Sequence, residues 1–241
     1  MDELKSLAIK SKSKASPQSR FNHQLIRATR HLSEVSPELR KWIGTCGACE
    51  LQIAWEQSLY EALVRAIAHQ QLHGRAAATI LGRLQAGFRG NTFPTPRQLA
   101  RASTEKLRGM GFSAAKVTAI QGVAMAAERG DIPTRAEAAS WPDDELAVRL
   151  MQLKGVGPWT VDMLLIFTLG RLDVMPTGDF GVQSGLKHLL NLPKLPGKSE
   201  FTEHTSSWRP YRSIAAWYLW RKADAEKSTA PVPPPLPAIT R

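Results

Sequence analysis

The pattern Leu-basic-Gly-apolar-Gly occurs twice in this chain, at Leu107-Arg108-Gly109-Met110-Gly111 and, 46 residues later, at Leu153-Lys154-Gly155-Val156-Gly157. Each copy closes one stretch of helical apolar spacing and precedes another. Two glycines one residue apart allow positive φ and close backbone approach, so each copy predicts a tight corner between two helices. A helix leaving such a corner starts with unpaired N–H groups and the positive end of its dipole. Together these hold a phosphate without any charged side chain. The same glycines suit a plain helix–helix corner with no ligand, and the pattern alone does not separate the two.

Helical spacing recurs elsewhere. Leu59, Leu63, Ala66 and Ile67 fall at i, i+4, i+7 and i+8, and Val148, Leu150 and Met151 run into the second corner. Ile214, Trp217, Tyr218 and Trp220 form a late aromatic face, with Pro210 placed for a helix's first turn. No run of β-branched residues alternates, so the chain is expected to be all-α, with about ten short helices. At 241 residues and 43% hydrophobic it is long enough to bury a core. Residues 1–20 are rich in Ser and Lys, and residues 226–241 contain Pro-Val-Pro-Pro-Pro-Leu-Pro, which cannot be helical. Both ends read as loose tails around a folded unit over 21–225.

The net charge is +11, and most of the surplus lies between the two ends. A folded body that basic favours an anionic partner, a nucleic acid first. The only cysteines, Cys46 and Cys49, form one Cys-x-x-Cys, too few for an iron–sulfur cluster and without nearby zinc ligands or a βαβ setting. His23, His31, His69, His188 and His204 show no metal-ligand spacing. No run approaches a membrane span, and the first residues lack a signal peptide's apolar region. The expectation is a soluble, intracellular protein located with DNA, in a bacterial cytoplasm or a nucleus.

Residues 153–186, LKGVGPWTVDMLLIFTLGRLDVMPTGDFGVQSGL, join the second corner to an apolar helix beginning near Pro158, then a loop, then Asp179, 22 residues after Gly157. This resembles the helix–hairpin–helix DNA glycosylase superfamily, whose Leu-x-Gly-apolar-Gly hairpin is followed at about this distance by an essential aspartate. Members that also cut the strand carry a lysine two positions after the second glycine, where it forms a Schiff base with the sugar. Trp159 stands there, so the chain resembles the monofunctional DNA-3-methyladenine glycosylase II (AlkA-like) family. AIAHQQLHGRAAATI at 66–80 resembles that family's helix and duplex-probing Gln-Gln loop, and WRPYRSIAAWYLW at 208–220 its C-terminal helix. The similarity spans about residues 25–222 and is to the compact form that lacks an N-terminal β-rich domain.

The resemblance implies two helical subdomains with a cleft between them, a middle bundle at about 56–170 and a second from about 21–55 plus 171–225. It implies hydrolysis of the N-glycosidic bond of alkylated purines, of 3-methyladenine or 7-methylguanine type, flipped out of double-stranded DNA. Asp179 would be catalytic, and Trp159, Met163, Trp55, Tyr60 and Trp217 would line the base pocket. Met163 stands where larger relatives can carry an aromatic residue. Gly155, Val156 and Gly157 would meet DNA, as would Gln70, Gln71, Leu72 and His73, with Gln71 or Leu72 as the wedge and His73 at the backbone or minor groove. No organic cofactor is implied. The family's hairpin can hold a monovalent cation, sodium or potassium, through carbonyls near Gly155 and Gly157 when DNA is bound. The protein would act as a monomer, without a membrane.

Plainer roles stand beside these. Asp179 after Gly178 suits a helix N-cap and nothing more. Trp159 and Leu72 suit core packing, and His73 a solvated surface. Lys116, after the first corner, suits either a phosphate contact or solvent. A non-catalytic helix–hairpin–helix module for bent or damaged duplex is the alternative function, and Trp159 argues against a third, an oxidised-base glycosylase/lyase.

Overall fold

A computed structural model describes residues 16–227 except 73 and 91, and among these it contains thirteen α-helices, one 3₁₀ turn and no strand. The all-α expectation holds, while the number of helices exceeds it. Several helices are only five or six residues long, too short to show a period: α5 (Pro96–Ala100), α6 (Thr104–Gly109) and α8 (Arg135–Ser140).

One group of helices packs around α3 (Leu59–His69) and α7 (Ala114–Arg129), joined by α4 (Gly74–Ala86), α5, α6, α9 (Asp143–Leu150) and α10 (Pro158–Phe167). A second gathers α1 (Pro17–Val35), α2 (Pro37–Cys46) and α11 (Phe180–Leu189) about the last helix, α13 (Arg212–Lys227), with α12 (Lys198–Thr205) attached through the 3₁₀ turn Ser206–Trp208, which packs on α1. Ser16 caps α1 by accepting the Ser19 N–H, and Pro17 suits its first turn, so helix begins inside the segment read as a tail. α13 likewise runs to Lys227, past 226. The remainder of both expected tails lies outside the described residues.

The first half of α13, Ile214–Trp220, is apolar all round, as a segment wrapped by other helices must be, and its second half carries the charges of Arg221, Lys222, Asp224, Glu226 and Lys227. Every residue from Ser213 to Arg221 is buried, and Trp42 Nε1 donates to the Tyr218 carbonyl at 3.0 Å. Pro210 stands two residues ahead of the helix, in a turn, rather than in its first turn. Leu150 is buried as expected, but Val148 and Met151 face solvent. α11 lies against α13 closely enough that a Cβ at Gly185 would sit 2.1 Å from the Leu219 carbonyl oxygen. That contact sets the spacing of the helix that carries Asp179 from the helix that carries Trp217 and Trp220. The loop between α10 and α11 is fastened to α13 by Asp173, which takes Arg212 Nε at 2.7 Å and Nη2 at 3.0 Å, and by Ser213 Oγ, which accepts Val174 N–H.

The two glycine corners differ in geometry. At the first, Gly109 ends α6 and Gly111 takes φ +108°, and Ser113 then caps α7 by accepting the Lys116 N–H. At the second the positive φ belongs to Gly155, at +84°, whose missing side chain lets it rest on Ala119. Gly157 is extended, at φ −112° and ψ 178°, and caps α10 with no side chain. The first corner thus has a side chain over the start of its following helix, whereas the start of α10 carries no side-chain cap and its first N–H groups stay open to a ligand.

Candidate active site

Asp179 is the N-cap of α11, and its Oδ1 accepts the Val182 N–H at 2.9 Å. Capping accounts for one of three donors. Trp220 Nε1 also reaches Oδ1, at 2.9 Å, and Trp159 Nε1 reaches Oδ2 at 2.7 Å. Helices α10, α11 and α13 thus converge on one carboxyl group. Gly181 makes room for this, since a Cβ there would stand 2.9 Å from the Trp220 ring.

Beside Asp179 lies a cavity of about 400 Å³, walled on this side by Trp159, Met163, Phe167, Trp217 and Trp220. Phe167 and Trp220 face each other with ring centroids 5.5 Å apart and planes tilted 31°. The opposite wall comes from residues 50–54 and from α3 and α4, with Arg65 and His69 among its polar groups. Arg65 is paired with Glu61 at 2.8 Å. Burial, with Lys116 and Arg65 nearby, lowers the His69 pKa, which favours a neutral imidazole. Arg135 ties the walls together by donating to the carbonyls of Thr168, Ala54 and Gln57.

Of the expected pocket residues, Trp159, Met163 and Trp217 line this cavity, and Trp55 and Tyr60 do not. Trp55 donates to Gln18 Oε1 at 2.8 Å and packs edge-on against Phe21. Tyr60 is core, its hydroxyl donating to the Pro94 carbonyl at 3.0 Å. Both are aromatics that satisfy their polar atoms elsewhere. Trp220 and Phe167 belong to the site although the sequence presents them as helix-packing residues. Asp162, one turn after Trp159 on α10, is a second carboxyl near Asp179. Burial and then the charge of Asp179 push its pKa up to about 6.

The probing loop follows α3. Gln70 is the C-cap, Gln71 adopts φ +55° and is exposed, and Leu72 is 40% exposed, so Leu72 is not a core residue. His73 lies outside the described residues. Val156 is buried and anchors the second corner, so its side chain does not face a ligand. Lys116 neither meets solvent freely nor waits for a phosphate. Its ammonium donates to the carbonyls of Ala68 at 2.8 Å and Gln70 at 2.7 Å, closing the C-terminus of α3. Lys154 is exposed.

The carbonyls expected to hold a cation are both engaged. Gly155 O accepts Gln70 Nε2 at 2.9 Å, and Gly157 O accepts the Val161 N–H at 3.1 Å and so points down α10. This pair does not fit a shared cation. Among the described residues no group of His, Cys, Asp and Glu could hold a metal ion. Cys46 and Cys49 are free thiols. Burial raises the pKa of both, that of Cys49 to about 12, leaving no reactive thiolate. No helix among these residues is long and apolar enough to cross a membrane.

Residues 64–210 match the HhH-GPD superfamily of base excision DNA repair proteins. The chain is 39% identical over 211 residues to DNA-3-methyladenine glycosylase 1 of Schizosaccharomyces pombe, covering 87% of this chain and 92% of that protein. It is 37% identical over 196 residues to the alkylbase DNA glycosidase-like protein mag2 of the same yeast, covering 81% and 92%. Among solved structures it resembles the S. pombe 3-methyladenine DNA glycosylase in complex with abasic DNA, with a TM-score of 0.79 at 39% identity over 83% of this chain and 97% of that one. A DNA-3-methyladenine glycosidase from Bacillus halodurans gives a TM-score of 0.68 at 32% identity over 83% and 90%.

Proposed function

The chain belongs to the HhH-GPD superfamily of base excision DNA repair proteins, and we propose that it is a 3-methyladenine DNA glycosylase, hydrolysing the N-glycosidic bond of alkylated purines and leaving an abasic site. The observation that carries this reading is the carboxyl group of Asp179, held at an aromatic cavity by two indole N–H groups. A pure cap needs neither indole.

The proposed sequence of events follows from these residues. The N–H groups of Trp159 and Thr160, at the uncapped start of α10, take a backbone phosphate of double-stranded DNA. Gln71 or Leu72 fills the stack as the base leaves it, at an unstacking cost of a few kcal/mol. The cationic alkylpurine enters the cavity between two lobes, 56–170 and 21–55 with 171–225, where Trp159, Phe167, Trp217 and Trp220 offer stacking and cation–π attraction. The C1′–N bond breaks with its electron pair going to the base, which neutralises the ring's charge, so a proton donor is not required. Asp179 stabilises the positive charge left on the sugar, a water oxygen then bonds C1′, and the proton that water loses passes to bulk solvent. No step passes through a cation. The protein acts as a monomer wherever the cell keeps its DNA.

Because an indole stands where a lyase needs an amine, the product is an intact abasic strand. One alkylated duplex, incubated with the protein and run with and without alkali, is expected to break only with alkali and to leave no borohydride-trapped adduct. Cleavage without alkali, with an adduct lost on Lys154→Ala, places the chain among the lyases instead.

A further inference from the structure

Gln70 sits between the two parts of the protein that this reading assigns to DNA. Its backbone ends α3 and leads directly into Gln71, whose left-handed φ of +55° turns the exposed tip of the probing loop outward. Its side-chain amide crosses to the second corner, where Nε2 donates to Gly155 O at 2.9 Å and to Thr160 Oγ1 at 2.9 Å. These acceptors flank the uncapped start of α10, one before Gly157 and one in the helix's first turn. Because a carbonyl oxygen only accepts, the Gly155 contact fixes which end of the amide faces the corner. Thr160 is 1% exposed, so its hydroxyl is an immobile anchor. Lys116 holds the Gln70 carbonyl from the other side, at 2.7 Å.

We propose that Gln70 is a positioning residue that couples the phosphate-holding corner to the duplex-probing loop, presenting Gln71 and Leu72 to the base stack at the place where the corner holds the strand. Contrary to the sequence expectation that it meets DNA, Gln70 spends its side-chain amide on Gly155 and Thr160 and so acts through the loop, outside the DNA-contacting set. The coupling serves extrusion of the base, so its loss weakens flipping and leaves general affinity for duplex intact. It rests on the glycosylase reading.

The test uses the full chain and a duplex carrying one alkylated purine beside 2-aminopurine, whose fluorescence reports unstacking. Gln70→Leu removes both donated hydrogen bonds at similar volume. Single-turnover base release and the fluorescence change are each expected to fall about tenfold, while the Kd for undamaged duplex stays within about twofold. Gln70→Glu, which sets an acceptor against the Gly155 carbonyl, is expected to do no better. Thr160→Val removes one of the two acceptors, with an expected loss of about threefold in the same two readouts. In a Gln71→Ala/Leu72→Ala background, Gln70→Leu is expected to add less than about twofold, since the part it positions is already gone.

Release and fluorescence unchanged in a folded Gln70→Leu protein overturn the proposal. So do losses that multiply with loop truncation, or a parallel loss of affinity for undamaged duplex, which marks a merely structural role. If Gln70→Leu does not fold, Thr160→Val decides alone, and wild-type behaviour there overturns the proposal. A wild type that releases no base overturns the glycosylase reading and this inference with it. An active wild type matched by its variants overturns the inference only.

Discussion

At Asp179 the capping bond and the indole bonds leave Oδ2 with a single protein donor, Trp159, and that oxygen keeps a lone pair for the sugar. Trp220 and Trp159 reach the same group from helices far apart in sequence, and neither indole N–H is wasted on solvent. The neighbouring Asp162 has a different character. Its pKa is raised to about 6, so its proton is held more tightly in the folded than in the unfolded chain. Stability is then lost as pH rises from the ordinary carboxyl range through 6, and the penalty is complete above it. Asp162→Asn is accordingly expected to raise Tm by a few degrees at pH 8 and to leave it unchanged at pH 4, as thermal melts at the two pH values will show. An equal shift at both would mean the carboxyl is not the cause.

Among the elements, the contact between α11 and α13 does most to define the site, because it places Asp179 beside Trp220. Gly185→Ala puts a methyl group into the Leu219 backbone, and overpacking against backbone costs about 1–3 kcal/mol. The expected result is a Tm several degrees lower and base release reduced beyond what the remaining folded fraction explains. The second corner allows the opposite kind of experiment. A Cβ at Gly157 meets nothing within 4 Å, and its extended φ and ψ suit valine. Gly157→Val is therefore expected to melt with the wild type yet bind abasic duplex about tenfold more weakly, since its methyl groups cover the open N–H groups of α10. The salt dependence of binding should keep its slope because no charge is removed. Unchanged affinity in this variant would falsify the phosphate-holding role of the corner.

Across the whole molecule, what the sequence made legible was whatever depends on local period and spacing. The helices around Leu59–Ile67 and Ile214–Trp220, the break at Gly155, and Asp179 opening α11 all follow from residues within a few positions of one another. What depends on a distant partner was hidden. Trp220 reads only as part of an aromatic helix face, because nothing local says that its indole will meet a carboxyl group 41 positions away. Tyr60 and Trp55 read as pocket because aromatics look alike until Pro94 and Gln18 are seen taking their polar atoms. The two glycine corners look equal in sequence, and only the structure sets a Ser113 side-chain cap at the start of one following helix against the bare Gly157 at the other. The central claim is that the Asp179 carboxylate performs chemistry as well as capping. Asp179→Asn keeps a capping oxygen for Val182 and Trp220 but removes the charge and sets its NH2 against the Trp159 N–H, so single-turnover release of 3-methyladenine from methylated duplex is expected to fall about a hundredfold or more, with Tm lower by a few degrees and the Kd for abasic duplex nearly unchanged. Release at the wild-type rate by folded, DNA-bound Asp179→Asn protein would contradict it.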